Sequence, residues 1–526
     1  MADVIFRSGT VLTMNEARPV AESLAVRGTR ITAVGSDAEI AGLETRRTKV
    51  IDLAGAVLLP GFHDSHVYLT GLSLKLGRLD LDEAASSAEA LELVKAWQPR
   101  GEWILGAGFS LSRWGVDTLL ATDLDMVANG RPAVLRSQDH HSAWLNTEAL
   151  RRLGITADTP DPESGRIQRD GHGNPSGLLF ESAVGLALDR MPPETDGELD
   201  AALIAGAKHL ASLGITTVHH MAAEPASWWR AIARVASDCS YPIRVWSCLD
   251  QEHIEAAASM GVATGQGGSR FMVGGAKFFA DGALGSLTAW MSEPYEGTDD
   301  RGIAMHDPAE LEQRVRLAAE AGLVPVAHAI GDEAVRVVLD AYEATRDAWS
   351  PRGLRPRLEH AQHMHASDLA RLARLGVIAS VQPIHLTFDG PAVPRLLGER
   401  ADRAYMFRRM ADAGAHLAFG SDAPVAPASV VQGLLAATSR VDASGEVFGP
   451  SELLGIDESL AAYTRGAAYA IGREARSGKL EAGFDADLVV MSDDPRSTLN
   501  GLDVLMTFKA GNPTYTADAL DQTRRN

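Results

Sequence analysis

Cysteine is nearly absent. Cys239 and Cys248 are the only two in 526 residues, too few for a disulfide framework, a four-cysteine zinc knuckle or a cluster site, and in keeping with a reducing compartment. Basic charge is short as well: 49 Lys and Arg against 69 Asp and Glu leave a net charge of -20. Such a field repels polyanions and lacks the electrostatic footprint of a nucleic-acid binder. No stretch approaches the roughly 20 uninterrupted apolar residues of a membrane span. The opening MADVIFRSGTVLTMN has no basic start followed by an apolar run, so a cytoplasmic location is expected. Repeats and low-complexity tracts are missing. Gly265-Gln266-Gly267-Gly268 follows no clear strand and lacks the later spacing of a dinucleotide fingerprint.

What is present is an ordinary globular composition, 45% hydrophobic and 22% charged, on a chain long enough to bury a large core. The length suits about three domains, or one barrel with insertions and a small satellite. Short β-rich pieces occupy Asp3 to Met14, Ile31 to Val34 and Lys49 to Leu59, and return at Ala486 to Met491 and Val504 to Lys509. The two ends are expected to build one composite β-sandwich, residues 1–58 and 476–526. Between them, from 59 to 475, helical stretches alternate with apolar strands, the pattern of an α/β protein with βα units. Leu58-Leu59-Pro60 is followed by Ile215 to His219, Ile243 to Cys248, Ala276 to Ala280, Val324 to His328, Arg357 to His360, Ile378 to Val381 and Leu417 to Gly420. Eight strands close a TIM-like (β/α)8 barrel. The segment from about 71 to 213 breaks the rhythm and reads as an insertion after strand 1, with a hairpin signal at Asp170-Gly171-His172-Gly173-Asn174-Pro175.

Barrel sites lie at the C-terminal ends of the strands. There this sequence places His66, His219 and His220, Lys277, His328, His360 and Asp422. One histidine at a strand end is usually a satisfied core residue. Several apolar strands each ending in an ionisable group are costly unless those groups share a cation. Imidazole and carboxylate hold zinc and similar ions, and a lysine converted to its carbamate bridges two of them.

The local strings resemble the amidohydrolase superfamily, and within it the family-3 branch that includes N-substituted formamide deformylase. Leu59-Pro60-Gly61-Phe62-His63-Asp64-Ser65-His66 looks like its strand-1 signature, and Lys277 to Ser286 like its lysine segment. His328-Ala329-Ile330-Gly331-Asp332, Glu359-His360-Ala361-Gln362 and Gly420-Ser421-Asp422-Ala423-Pro424 are similar to the segments of strands 5, 6 and 8, and Gly483 to Val490 to the return into the sandwich. The resemblance implies a divalent metal, zinc first, with one or two ions held by His66, Lys277, His328, His360 and Asp422. It implies Asp422 as general base and acid in hydrolysis of a C–N bond of an amide or N-substituted formamide. For Lys277 the alternative is a salt bridge to Asp281.

One position departs from the pattern. Tyr68 stands where the superfamily carries a second strand-1 histidine, and phenol is a poor neutral ligand. Three readings stay open: a weak or missing second ion, a phenolate ligand, or a hydroxyl aimed at substrate or oxyanion. In the insertion, Trp114, His140, His141 and Trp144 are candidates for a substrate-binding wall, with packing the alternative for the tryptophans. His220 is a further substrate-side candidate, whereas His363, His365 and His385 read as supporting or surface groups. The expected partner is a small molecule, with no nucleic acid and no membrane, and the expected assembly a homodimer. Competing functions are a lyase or decarboxylase on the same barrel, and a barrel that binds without turnover.

Overall fold

Eight short segments pair side by side in chain order, all parallel: β1 (Phe62–Val67), β2 (Ile215–His220), β3 (Arg244–Asp250), β4 (Phe271–Phe279), β5 (Pro325–Ala329), β6 (Arg357–His360), β7 (Ile378–Val381) and β8 (His416–Phe419). The computed structural model describes residues 1–99, 101–138, 141–222 and 224–518. It divides into two compact units, Met1–Leu72 with Gly206–Asn526, and Ser73–Ala205.

In the first unit the ring of strands is brought round by a bridge between Val67 and Ala423. Asp422 N–H donates to the His66 carbonyl at 2.7 Å and Tyr68 N–H to the Ala423 carbonyl at 2.8 Å. Helices fill the crossovers and turn apolar stripes inward. Asp332–Ala344, between β5 and β6, buries Val335, Val338, Leu339 and Tyr342. Pro308–Glu320, between β4 and β5, is capped by Asp307 accepting from Ala309 N–H. Among the described residues no helix is long and apolar enough to cross a membrane.

Two further sheets in this unit form the sandwich. One runs Arg30–Gly35, Ser23–Arg27, Val4–Arg7, Lys49–Asp52; the other Asn512–Thr516, Val504–Lys509, Leu488–Met491, Val57–Pro60, Thr10–Leu12, Val20–Ala21. They share a core of Phe6, Leu24, Leu58, Leu488 and Phe508, with Phe6 and Phe508 edge to face at 5.1 Å. Both termini therefore build one body.

Leu58-Leu59-Pro60 belongs to this sandwich, paired with Leu488–Met491, and is not the first barrel strand. β1 begins two residues later and reads Phe-His-Asp-Ser-His-Val, every residue buried. Its polarity hid it: an apolar run marks a strand buried against neighbours, whereas β1 carries the site. Between them Gly61 is obligatory, since a Cβ there would sit 2.3 Å from Thr216 Cγ2. Ser23–Arg27 and Asn512–Thr516 also lie outside the strands expected from sequence.

The second unit has its own sheet, ordered Gly165–Arg169, Pro175–Glu181, Ser142–Leu145, Ala133–Ser137, Ile104–Phe109, Leu79–Asp80. The hairpin expected at Asp170 to Pro175 is formed, Asp170 N–H donating to the Asn174 carbonyl. Trp144 is fully buried in this unit and its indole N–H bonds the Leu120 carbonyl.

Barrel and sandwich are joined by a buried fork. Arg244 at the start of β3 donates from Nε (2.6 Å) and Nη2 (3.1 Å) to the two oxygens of Asp487. Burial opposes the carboxylate charge, yet Arg244 holds Asp487 below the ordinary range. Replacing Asp487 with Ala leaves the buried guanidinium only its longer ion pair with Asp485 at 3.8 Å and is expected to cost about 3 kcal/mol in equilibrium denaturation. Because the folded pKa is depressed, the stabilisation is present above the unfolded value of 3.8 and is lost as pH falls through the folded one. The stability gap between the native chain and Asp487→Asn should therefore be full at neutral pH and shrink below about pH 4.

Candidate metal centre

Closing the barrel places the end of β1 against the segment after β8, and this juxtaposition builds the site. His66, His360 and Asp422 offer ligand atoms that all lie within 4.8 Å of one another, all three residues buried. His66 Nε2 stands 3.3 Å from Asp422 Oδ1. Both atoms are buried without a hydrogen-bond partner.

The protonation of each imidazole follows from what its other nitrogen touches. His66 Nδ1 lies 2.6 Å from Glu359 Oε2. Burial would raise the Glu359 carboxyl, but Arg357, then His66, hold it well below the usual range, so it accepts and His66 Nδ1 carries the hydrogen. His360 Nδ1 lies 2.7 Å from Gln382 Oε1, while the Gln382 amide nitrogen donates to the Ser380 carbonyl. His360 Nδ1 is therefore also a donor. In both rings Nε2 keeps its lone pair, the arrangement found in metal-binding histidines. Burial pushes His66 down to about 3 and His360 well below its ordinary value, so neither protonates to satisfy its neighbours. Lone pairs of His66 Nε2 and Asp422 Oδ1 thus face each other in a buried place, and a cation or a proton must lie between them. The donor set of two imidazoles and a carboxylate fits a divalent ion.

The backbone supports this at a cost. His360 has φ 70° and Asp422 φ 62°, left-handed conformations worth of order 1–3 kcal/mol of strain each for non-glycine residues. Asp64 pins the Asp422 segment, its Oδ1 accepting from Ser421 N–H at 2.9 Å and from His66 N–H at 3.1 Å, and its Oδ2 from the Ser421 hydroxyl.

The other expected residues fall in several places. His328 lines the same cavity of about 410 Å³, with Tyr68, His360, Gln362, His385 and Asp422. Its ring meets that of His360 at 4.5 Å, and its Nε2 bonds the Gly282 carbonyl at 3.0 Å. A carbonyl only accepts, so Nδ1 is the nitrogen left as acceptor. Lys277 is completely buried, its Nζ without a hydrogen-bond partner and 4.8 Å from the centre of the Phe279 ring. The alternative ion pair with Asp281 is not formed. That carboxylate is taken by the backbone N–H groups of Trp290, Ile330 and Gly331. Burial lowers the Lys277 pKa despite Glu359 nearby, favouring the neutral amine.

Burial, then the charge of Asp422, push the Tyr68 pKa well above 10, which favours the phenol over the phenolate. His220 lines a separate cavity and not the one at His360. Trp114 and His141 belong to the second unit: Trp114 is half-buried against Phe109, its indole N–H on the Ala84 carbonyl, and exposed His141 pairs with Glu181. His140 lies outside the described residues. His385, expected as a supporting or surface group, stands 3.6 Å from Asp422 Oδ2 with its ring 6.1 Å from that of His360. His365 pairs with Asp332, and both ring nitrogens of buried His363 are without partners. Glu359, Gln382 and Asp64 escaped the sequence reading as orienting groups.

Comparison with known proteins agrees with this geometry. The model of the amidohydrolase family matches residues 49–515. The putative amidohydrolase YtcJ of Bacillus subtilis (strain 168) is 33% identical over 508 residues, 93% of this chain and 94% of that one. N-substituted formamide deformylase of Arthrobacter pascens is 29% identical over 537 residues, 97% and 98% of the two chains. An uncharacterized metal-dependent hydrolase from Pyrococcus horikoshii OT3 superposes with a TM-score of 0.78 at 27% identity, covering 95% of this chain and 99% of that one. With a family model and relatives that span nearly its whole length, the chain belongs to the amidohydrolase family.

Proposed function

We propose that this hydrolase cleaves a C–N bond of a small organic substrate, an N-substituted amide or formamide, around a divalent ion, zinc first, held by His66, His360 and Asp422. The observation that carries the reading is the pair of unpartnered, buried ligand atoms, His66 Nε2 and Asp422 Oδ1, beside the rings of His66 and His360, whose Nδ1 atoms are already fixed. The kinship with an N-substituted formamide deformylase supports the choice of bond. A divalent ion bound there polarises a carbonyl and lowers the pKa of water from 15.7 towards about 7. Asp422 then holds the proton taken from water and passes it to the leaving nitrogen. Glu359 and Gln382 keep the two imidazoles in the tautomer that exposes Nε2. Burial shifts Lys277 toward the neutral amine, the form of lysine that reacts with carbon dioxide to give a carbamate ligand. Tyr68 keeps its hydroxyl proton and serves as a donor to the substrate, leaving one tightly held ion per chain.

Elemental analysis of purified protein should give close to one divalent ion per chain, and His66→Ala and His360→Ala should each lose most of it; unchanged metal in both sinks the site. Asp422→Asn should reduce turnover on an amide panel roughly a hundredfold or more. Burial pushes the Asp422 carboxyl up to about 8, with Lys277 opposing and Asp64 and Glu359 adding to the rise. A metal ligand must shed its proton. Metal affinity, measured by competition with a chelator, should therefore climb with pH up to about 8, by as much as tenfold per unit.

For Tyr68 the two substitutions separate the roles. Tyr68→Phe should cut turnover at constant metal content, and Tyr68→His should raise metal occupancy above one. Two full ions in the native protein would overturn the mononuclear reading.

A further inference from the structure

A second cavity of about 320 Å³ opens at the ends of β2 and β3, walled by Trp229, Leu249, Ala256, Ala257 and Met260 and touched by His220 and Glu224. Most of the walls are apolar; Arg230, Asp250 and His253 also line the cavity, and among its polar groups the carboxyl of Glu224 is the one buried with an unpartnered oxygen. Its side chain is only 8% exposed. Oε1 accepts from Gly71 N–H at 2.9 Å, but Oε2 is buried without a partner. His220 does not supply one. Its Nδ1 accepts from Leu69 N–H at 3.1 Å, so the ring hydrogen is on Nε2, and that atom is 3.6 Å from Glu224 Oε2, too far for a hydrogen bond. Burial pushes the carboxyl up to about 7, opposed by the Gly71 N–H bond and the nearby Thr70 side chain, with no basic side chain drawing it down. The indole N–H of Trp229, another wall residue, is also buried and unpartnered.

An acceptor kept unsatisfied in an apolar cavity costs free energy unless a ligand completes it. The complementary chemistry is an N–H donor, charged or neutral, on an apolar body, and the volume is that of a small-ligand pocket. The cavity also adjoins the metal centre. A Cβ on Gly71 would lie 3.3 Å from Glu224 Oε1 and 3.7 Å from Pro424 Cδ, so the Glu224 carboxyl and the segment of Asp422 approach one glycine from two sides. Tyr68 feels the charge of both carboxylates.

We propose that this cavity is a binding subsite for an amine carried on an apolar group, with Glu224 as the acceptor of its N–H. Placing the nitrogen substituent of a hydrolysed amide there rests on the hydrolytic reading above; the binding itself does not.

The test is calorimetry on the metal-loaded protein with cyclohexylmethylamine and, as neutral isostere, cyclohexylmethanol. The amine should bind saturably and at least tenfold more tightly than the alcohol. Glu224→Gln should erase that preference, and Ala256→Leu, which fills the cavity and leaves the carboxyl in place, should weaken both probes tenfold or more. If Glu224→Gln does not fold, the Ala256→Leu result decides. Amine binding that survives both substitutions, as it would if the nitrogen bound the metal directly, overturns the proposal, and so does the lack of saturable binding to the native protein. An amide panel without turnover would defeat the hydrolytic reading while leaving these binding outcomes unchanged.

Discussion

Arg357 is wholly buried inside the barrel, and the site hangs on the bonds it makes. Its guanidinium donates to Glu359 Oε1 at 2.8 Å, to the Ser65 carbonyl at 2.7 Å, to Ser380 Oγ at 3.0 Å and to His219 Nδ1 at 3.0 Å, and lies over the Trp246 ring at 5.1 Å. A buried ion pair repays its desolvation only when geometry is good and the remaining donors are satisfied. Here they are, by groups from four strands, β1, β2, β6 and β7. The consequence is a Glu359 that stays ionised at the barrel centre, orients His66 and fixes which of its nitrogens faces Asp422.

The same arginine sets protons further off. Arg357 cannot accept, so His219 Nδ1 must, and the hydrogen of His219 sits on Nε2. That atom is 3.4 Å from His63 Nδ1, which leaves His63 to donate from Nε2 to Ser477 Oγ at 2.9 Å. Burial keeps both rings neutral, His219 well below its ordinary pKa and His63 at about 3. One residue thus determines the tautomers of three histidines, from the metal centre to the segment that leads back into the sandwich. The second histidine of β1 binds outward to the site and the first binds inward to the frame, though in sequence they look alike.

That difference explains what sequence could and could not show. Strands that end in His66, His328, His360 and an Asp422 segment were legible because ionisable groups at the ends of apolar strands are expensive and therefore informative. β1 is hard to locate because its own polarity disguises it. Gln382 and Asp64 were not legible as orienting groups: an amide or a carboxylate within a strand has no periodicity that separates a buried hydrogen-bonding role from exposure. His385 is not legible as part of the site: it follows β7 on a short helix, His385–Asp389, and the fold brings its ring to 6.1 Å from that of His360. The sheet of the second unit was visible only at its hairpin, where turn chemistry is local.

Barrel closure and the meeting of His66 with Asp422 are one constraint seen twice. The last strand pair is not a ladder but a bridge at Val67 and Ala423, and the bonds that flank it belong to His66, Asp422 and Tyr68. Asp422 holds a left-handed backbone there because its N–H must reach the His66 carbonyl while Asp64 holds Ser421. Its carboxylate is thereby aimed at His66 Nε2 and not out along the strand. The ladder is incomplete at the seam, and it is there that the side chains of His66 and Asp422, from the two ends of the sheet, meet at 3.3 Å.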